Sequence, residues 1–341
     1  MTAPWWLFGL VFALAWFLTG ALRRYALARN VIDVPNERSS HKTPTPRGGG
    51  ISFVVAFVAG MLAMGAVGIV AWPVVCSLAV AGAWIALVGF LDDHGHIQAR
   101  WRLLAHFIGA AWGLYWMGGA PELSIAGLPL TAGWILNIAA AFYLVWLLNL
   151  YNFMDGIDGL ASIEAICVAV GGGILYAVAG AGGAGLPAIL LASAVIGFLL
   201  WNFPPAKIFM GDGGSGFLGL ILGILSLQAG WQAPELFWAW AILLGAFIVD
   251  ATVTLLRRLI RGEKVYEAHR THAYQYASRI WGSHRSVTLA VLAINVLWLF
   301  PMALLVALGK MDGSLGMGVA YAPLIVVAVR LKAGVREPAS A

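Results

Sequence analysis

Long apolar stretches separated by short polar connections run through the whole chain. Several approach the ~20 apolar residues that a membrane-spanning helix needs. We therefore predict an all-α polytopic membrane protein with about 11 transmembrane helices, forming a single transmembrane domain over residues 1–341. The windows fall at about 4–22, 51–70, 72–91, 103–118, 132–150, 160–180, 186–202, 214–231, 235–256, 286–308 and 313–330, the fourth being short and the sixth ending in a glycine-rich segment that is a candidate break.

The composition supports this prediction. Hydrophobic residues make up 61% of the chain and charged residues 10%, which is typical of an integral membrane protein and not of a soluble domain. The first window lacks a basic leader and a small-residue cleavage site, so it is expected to be a retained helix. Cys76 and Cys167 both lie in apolar windows, which gives no indication of a disulfide framework or a zinc site.

The positive residues predict the orientation. If the helices alternate, one face carries 19 of the 20 Lys and Arg residues, and only Lys310 lies opposite. By the positive-inside rule this face is cytoplasmic, with the N-terminus outside and the C-terminus inside. Short basic loops between spans suit an anionic substrate and anionic headgroups, and we expect no nucleic acid partner. The polar connections on this face are at about 23–50, 92–102, 149–159, 203–213 and 257–285.

Acidic residues collect on the same face. Twelve of the fifteen Asp and Glu residues lie there or at the segment ends that face it. Asp92 and Asp93 end the third window, Asp155 and Asp158 follow the fifth, and Asp212 precedes the eighth. Hard carboxylate oxygens suit Mg²⁺, with Mn²⁺ as an alternative, and Mg²⁺ commonly bridges one or two carboxylates to substrate phosphates. A lone acid such as Asp250, by contrast, is more simply a helix cap or a solvated residue.

The run N-L-Y-N-F-M-D-G-I-D-G-L is the densest polar cluster. It places Asn149, Asn152, Asp155 and Asp158 three residues apart, which puts them on roughly one face of a helix. Gly156 lets a ligand or backbone approach closely. This spacing indicates a site for a metal or a phosphate ligand. Asp158 has a simpler alternative role as the cap of a helix that begins near Gly159.

Two further segments are candidates for phosphate binding. G-D-G-G-S-G at 211–216 opens into an apolar helix, whose free N–H groups suit phosphate at Gly214 and Ser215, although simple capping is an equal alternative. His269, Arg270 and His272 lie in the longest basic connection and suit a diphosphate. The alternatives for this connection are a metal site and a loop that is basic only to set topology.

Five blocks occur in order on the predicted cytoplasmic face: H-K-T-P-T-P-R-G-G-G, G-F-L-D-D, N-L-Y-N-F-M-D-G-I-D-G-L-A, W-N-F-P-P-A-K-I-F-M-G-D-G-G-S and H-R-T-H. With them the chain resembles the polyprenyl-phosphate N-acetylhexosamine-1-phosphate transferases over roughly 34–285. The resemblance implies transfer of an N-acetylamino-sugar-1-phosphate from a UDP-sugar to polyprenyl (undecaprenyl) phosphate, with release of UMP. It also implies a bacterial cytoplasmic membrane and an active site on the cytoplasmic face.

The resemblance also implies roles for individual residues. Asp212 is expected to bind Mg²⁺, with Asp93 supporting the metal and phosphates, and Asp92 is the expected catalytic acid or base. Asn202 and Phe209 are expected to hold the nucleoside, with the Phe ring against uracil. The remaining expected catalytic residues are Asp155, His269, Arg270 and His272, and the remaining expected substrate-binding residues are Asn149, Asn152, Gly156, Asp158, Lys42 and Arg47.

Two departures from the family pattern matter. Some relatives carry a third acid after the paired aspartates, whereas this chain continues His94-Gly95-His96. The H-R-T-H block replaces an unbroken histidine run, which favours the branch that serves O-antigen and other surface polysaccharides. A homodimer is compatible with the sequence. The rival from another class is a transporter of an anionic solute or lipid, but transporters place charges near the bilayer midplane and often carry repeats.

Overall fold

The computed structural model describes residues 5–35, 40–41, 43–95, 97–263 and 269–336, so Lys42 and His96 lie outside the described residues. The described chain is helical almost throughout, as predicted. Its α-helices are α1 (Trp5–Ala28), α2 (Ile51–Ala66), α3 (Trp72–Val75), α4 (Ala81–Gly95), α5 (Ala99–Met117), α6 (Gly133–Met154), α7 (Leu160–Val178), α8 (Leu186–Asn202), α9 (Asp212–Gln232), α10 (Pro234–Leu243), α11 (Gly245–Ile260), α12 (Ala273–Trp281), α13 (His284–Ile294), α14 (Phe300–Ala307) and α15 (Gly313–Arg330).

Short irregular helices and two small hairpins complete the described chain. π-Helical turns at Cys76–Val80 and Asn295–Leu299 join α3 to α4 and α13 to α14, and a 3₁₀ turn at Gly182–Gly185 precedes α8. The antiparallel hairpins pair β1 (Ile32–Asp33) with β2 (Thr45–Pro46), and β3 (Leu123–Ile125) with β4 (Leu128–Leu130). The hairpins lie in connections, so they leave the all-α architecture intact.

All eleven apolar windows contain helix, which confirms a polytopic all-α membrane protein. Within the described ranges, eight helical segments are long and apolar enough to cross a membrane, and the α10–α11 pair would make a ninth. Of the other two windows, α2 is only 16 residues long, and α5 carries Arg100 and Arg102 in its first turn. The number of about 11 spans and their orientation stay predictions.

The ninth window differs from its prediction. One helix was expected over 235–256, but α10 and α11 meet at a bend of 69° after Leu244. The fully buried Glu164 of α7 lies near the backbone N–H of Phe247 in the first turn of α11. Asn295 donates to the Glu164 carboxylate at 2.6 Å. Hydropathy alone does not reveal the bend, because the two helices together are apolar enough to pass as one span.

The almost entirely buried helix α9 lies at the centre of the fold, packed against α4 and α6. Glycines allow the close approach. A Cβ atom at Gly89 of α4 would lie 2.5 Å from the Gly213 backbone nitrogen, and one at Gly219 of α9 would collide with the Leu147 carbonyl oxygen. Small residues at helix crossings are the usual solution inside membranes. This packing presses the first turn of α9, where Asp212 lies, against the end of α4.

Close packing at Gly219 is testable by a stability measurement. Gly219→Ala is expected to cost about 1–3 kcal/mol of stability, because the new methyl group forces α6 and α9 apart. The matched control is Gly318→Ala in α15, where a Cβ would meet nothing within 4 Å. In detergent, Gly219→Ala should melt at a lower temperature than Gly318→Ala. Equal melting temperatures would contradict a packing role for Gly219.

Candidate active site

A cavity of about 200 Å³ lies where the predicted cytoplasmic connections meet. We call it the acidic cavity because five carboxylates line it. One arginine, one histidine, several amides and hydroxyls and one phenylalanine ring share its wall. The lining residues are Asp33, Ser40, His41, Arg47, Asp93, Asn152, Asp155, Gly156, Ile157, Asp158, Asn202, Phe209, Met210, Gly211, Asp212, Ser215 and Gln275.

Helix ends bring these residues together. Asn152 lies in the last turn of α6 and Asp155 follows as its C-terminal cap, while Asp212 is the first residue of α9. Gly211 has φ of +79°, a conformation that favours glycine, and it turns the chain into α9. The Asn152 amide donates to the Ser215 hydroxyl at 3.2 Å, which ties the end of α6 to the start of α9.

Asp93 supports the start of α9. Its Oδ2 accepts a hydrogen bond from the Asp212 backbone N–H at 3.1 Å, and its Oδ1 lies 3.3 Å from an Arg47 guanidinium nitrogen. Its side chain is only 5% exposed, whereas that of Asp212 is 40% exposed. Since both Asp93 oxygens already have partners, Asp212 is the more accessible metal ligand of the two.

Asp92 lies behind this wall and does not belong to the acidic cavity's lining among the described residues. Its carboxylate forms an ion pair with Arg102 and accepts from the Ile97 N–H at 2.6 Å. The same Arg102 nitrogen lies 4.0 Å from Asp212 Oδ2. The geometry therefore makes Asp92 the residue that orients Arg102 towards Asp212, and its acid–base role stays a prediction.

Asn149 and Asn152 share a second, small cavity of about 20 Å³, which Arg102, His106 and Asp212 also line. The Asn149 amide donates to the Val145 carbonyl at 2.7 Å, one helical turn back. Among the α6 residues described, Asn152 alone lines both this cavity and the acidic cavity.

The carboxyl group of Asp155 is buried close to three other acids, Asp93, Asp158 and Asp212. Burial, followed by the charges of Asp212, Asp93 and Asp158, raises the pKa of its carboxyl well above the usual range. Among the described residues, no hydrogen bond partner of its carboxylate is found that offsets this repulsion. A bound cation would relieve it directly.

Asp158 has a role different from the helix cap considered above. Its Oδ2 accepts from the Ala206 N–H at 3.0 Å, and its Oδ1 lies 3.2 Å from His284 Nδ1. Burial acts to raise the pKa of Asp158, but these hydrogen bonds outweigh it and lower the pKa. The alternative of a cap for α7 is wrong, because the N-cap is Gly159 with no side-chain hydrogen bond.

Asn202 and Phe209 contribute in different ways. Asn202 is buried, accepts from the Gly159 N–H at 3.0 Å and donates to the Ile208 carbonyl at 3.0 Å. It thereby fixes the α8–α9 connection to the α6–α7 loop. The Phe209 ring lines the cavity, and the His41 ring packs edge-on against it with centroids 4.8 Å apart.

The predicted basic loop lies at the rim. The rings of His269 and His272 stack at 4.8 Å, and His272 Nδ1 lies 3.3 Å from Asp250 Oδ1. Within the described ranges, none of His269, Arg270 and His272 lines the acidic cavity, whereas Gln275 of α12 does. Their catalytic roles therefore stay predictions.

Asp250 is neither a cap of its own helix nor solvated. From α11 it accepts the backbone N–H groups of Ala273 and Tyr274 at 2.9 and 3.0 Å, so it caps α12 from a neighbouring helix. Tyr274 in turn donates to the Phe153 carbonyl at 3.0 Å and lies against Gly156, where a Cβ would collide with its hydroxyl. Sequence spacing carries no signal for such long-range contacts.

The donor set fits Mg²⁺. The described residues contain no group of three or more His, Cys, Asp or Glu side chains able to hold a metal together. Magnesium does not require one, since it usually takes one or two carboxylates with water and substrate phosphates. The exposed carboxylate of Asp212, with Asp155 lining the same cavity, meets that need.

Comparison with known proteins adds the chemical class. Residues 75–230 match the family model described as Glycosyl transferase family 4. A probable undecaprenyl-phosphate N-acetylglucosaminyl 1-phosphate transferase of Bacillus subtilis (strain 168) is 29% identical over 82% of this chain and 79% of its own length. A decaprenyl-phosphate N-acetylglucosaminephosphotransferase of Mycobacterium tuberculosis (strain H37Rv) is 29% identical over 82% and 76%. These matches support the polyprenyl-phosphate N-acetylhexosamine-1-phosphate transferase family as the one that this chain resembles.

A third relative matches a smaller share of the chain. A phospho-N-acetylmuramoyl-pentapeptide-transferase of Moorella thermoacetica is 31% identical over 55% of this chain and 62% of its own length. The three relatives' names concern N-acetylglucosamine and muramoyl-pentapeptide donors, and none mentions O-antigen. The matched region runs from the end of α3 to α9 and so contains four of the five carboxylates of the acidic cavity, all except Asp33.

The contact between Gly156 and Tyr274 gives a second stability test. Gly156→Ala is expected to lower the melting temperature in detergent, because the methyl group collides with the Tyr274 hydroxyl. Tyr274→Phe removes that hydroxyl and its bond to Phe153. Since the two residues touch, the melting temperature of the double variant should fall by less than the sum of the two single falls. Strictly additive falls would show that residues 156 and 274 do not contact each other.

Proposed function

We propose that the protein transfers an N-acetylamino-sugar-1-phosphate from a UDP-sugar to polyprenyl phosphate in the bacterial cytoplasmic membrane. The observation that carries this proposal is the acidic cavity: five carboxylates at the start of a buried helix, with Arg47 in the cavity wall and Arg102 beside Asp212, in a chain that resembles this family. The products are polyprenyl-diphosphate-sugar and UMP. The active site faces the cytoplasm, where nucleotide sugars are made.

Asp212 is the proposed principal ligand of Mg²⁺, with Asp155 as the second carboxylate of the cavity. When bound, the ion neutralises charge on the donor diphosphate and on the departing UMP. Asp93, first expected to touch the metal, instead fixes Asp212 through its backbone N–H and holds Arg47. Arg47 and Arg102 supply the remaining positive charge at this end of the cavity.

The acceptor needs little activation. A phosphate monoester has its second pKa near ~6, so it is largely dianionic at neutral pH. An oxygen of the lipid phosphate forms a bond to the β-phosphorus of the donor. The bond from that phosphorus to the bridging oxygen breaks, and UMP leaves with the electron pair. The cost lies in bringing two anions together, which positioning and electrostatics reduce.

The donor nucleoside is proposed to lie at the Phe209 side of the cavity, away from Arg102. Stacking on Phe209 supplies base affinity, while Asn202 and Asp158 shape the pocket through their own protein contacts. The relatives' names support N-acetylglucosamine as the first sugar to test. The O-antigen branch stays a prediction, because neither the cavity nor those names distinguish the glycan pathway.

The experiment that tests the function is UMP release from UDP-N-acetylglucosamine in detergent. Asp212→Asn should lower turnover at least 100-fold, on the order of the loss of one strong electrostatic group in an active site. Lys310→Gln is the control, since Lys310 lines a separate cavity with Glu235. Release that needs neither polyprenyl phosphate nor Mg²⁺ would contradict the proposal, and transport without release would favour the rival class.

A double-mutant cycle tests whether Asp92 orients Arg102 or acts as a catalytic base. If Asp92 orients Arg102, then Asp92→Asn, Arg102→Gln and the double variant should reduce kcat to a similar extent, because each breaks the same unit. A catalytic base would instead give independent, multiplying losses. The measurement is kcat for UMP release at saturating polyprenyl phosphate.

The reaction has an alternative route through a covalent phospho-aspartate. That route predicts a sugar-phosphoryl enzyme and UMP release without lipid. Direct in-line attack by the lipid phosphate is the route we propose, because the dianionic acceptor needs little activation.

A further inference from the structure

His284, the first residue of α13, bridges two segments that are far apart in the sequence. Its Nδ1 lies 3.2 Å from Asp158 Oδ1 in the α6–α7 loop. Its Nε2 lies 3.1 Å from the backbone carbonyl oxygen of Ser40, in the connection that follows β1. The histidine itself is mostly buried, with its side chain 19% exposed.

The imidazole attaches the Ser40 backbone to the α6–α7 loop through its two ring nitrogens. Nε2 donates to the Ser40 carbonyl, which can only accept. Nδ1 contacts the Asp158 carboxylate and, at 3.4 Å, the Asp158 backbone N–H. Asp158 is itself anchored by Ala206 and by Thr288.

The segment that His284 holds presents two unsatisfied polar atoms. Ser40 Oγ and His41 Nε2 are buried and have no hydrogen bond partner among the described residues. Both residues line the acidic cavity, and both also line an adjoining cavity of about 580 Å³ that contains Arg279 and Arg285. Buried polar atoms are nearly always paired, so two consecutive unpaired ones in a cavity wall indicate a ligand.

The position of the segment identifies the part of the donor concerned. The His41 ring contacts the edge of Phe209, the residue proposed to stack on the base. The described contacts of the phosphate-binding end, by contrast, are made by Arg47, Arg102 and Asp212. A nucleoside offers ribose hydroxyls and base carbonyls, which match a serine hydroxyl and an imidazole nitrogen.

We propose that Ser40 and His41 bind the nucleoside of the donor, and that His284 is the positioning residue that holds them in the cavity wall. The inference rests on the proposed function and deepens it. It adds three residues to the donor site that sequence spacing did not single out. Their role is to strengthen ground-state binding of the donor, so they should alter KM and leave kcat nearly unchanged.

Two near-isosteric substitutions at His284 separate positioning from mere stability. In His284→Gln the amide nitrogen takes the place of Nε2 and keeps the bond to the Ser40 carbonyl. In His284→Asn the amide nitrogen takes the place of Nδ1 and keeps only Asp158. We expect the KM for UDP-N-acetylglucosamine to rise about tenfold in His284→Asn and to stay within about threefold of wild type in His284→Gln. Equal KM values for the two variants would overturn the positioning role.

The binding role is tested on the segment itself. His41→Phe keeps a ring against Phe209 but removes both nitrogens, and Ser40→Ala removes the hydroxyl while leaving the carbonyl that His284 holds. Each should raise KM about tenfold with kcat changed less than about twofold. The matched controls are Ser193→Ala, whose hydroxyl bonds within α8, and His94→Phe, whose ring bonds within α4. Unchanged KM in both test variants would overturn the proposal, as would a fall in kcat alone.

Failure of this inference is distinguishable from failure of the proposed function. If the wild-type protein releases no UMP with polyprenyl phosphate and Mg²⁺, the function itself is wrong. If the wild-type protein does release UMP, but Ser40→Ala and His41→Phe bind UMP with the same affinity as wild type, the function stands and the nucleoside contacts are wrong. Weaker UMP binding, with melting temperatures equal to wild type, supports the contacts.

Discussion

The structure depends above all on holding five carboxylates in one cavity of about 200 Å³. Repulsion is offset differently at three of them. Asp93 is paired with Arg47 and the start of α9, Asp158 with His284 and the Ala206 N–H, and Asp212 faces Arg102 at 4.0 Å. Asp155 lacks such partners among the described residues, and burial together with the neighbouring acids raises the pKa of its carboxyl. The least compensated acid therefore lies where a cation and a diphosphate would meet.

Such a cavity is possible because the helices that supply it approach more closely than ordinary side chains allow. Gly89 lies on the backbone of Asp212 and Gly213, and Gly219 lies on the carbonyl of Leu147. The first turn of α9 is thus enclosed by the ends of α4 and α6, and its N–H groups remain directed at the carboxylates. The close backbone packing in the apolar region therefore also determines where the acids lie at its edge.

The sequence predicted what depends on composition and local spacing. Apolar windows located every helix that crosses the fold, and the position of acids at segment ends predicted that Asp93, Asp155 and Asp212 would meet. It did not predict features that arise from distant partners. The cap of α12 depends on Asp250, and the pairing of Asp158 on His284, 126 residues away. Spacing by three placed Asn149 with Asn152, and both line the small cavity beside Asp212, although Asn152 alone also lines the acidic cavity.

The side chain of Asp250 has a mechanical consequence. By accepting two N–H groups of α12, it joins α12 to α11, beyond the 69° bend that separates α11 from α10. The far part of α11 exposes Leu256, Leu259 and Ile260 on its surface, while Tyr274 of α12 lies against Gly156 in the cavity wall. A side chain on an apolar helix thus links that helix's exposed surface to the wall of the acidic cavity through two backbone hydrogen bonds.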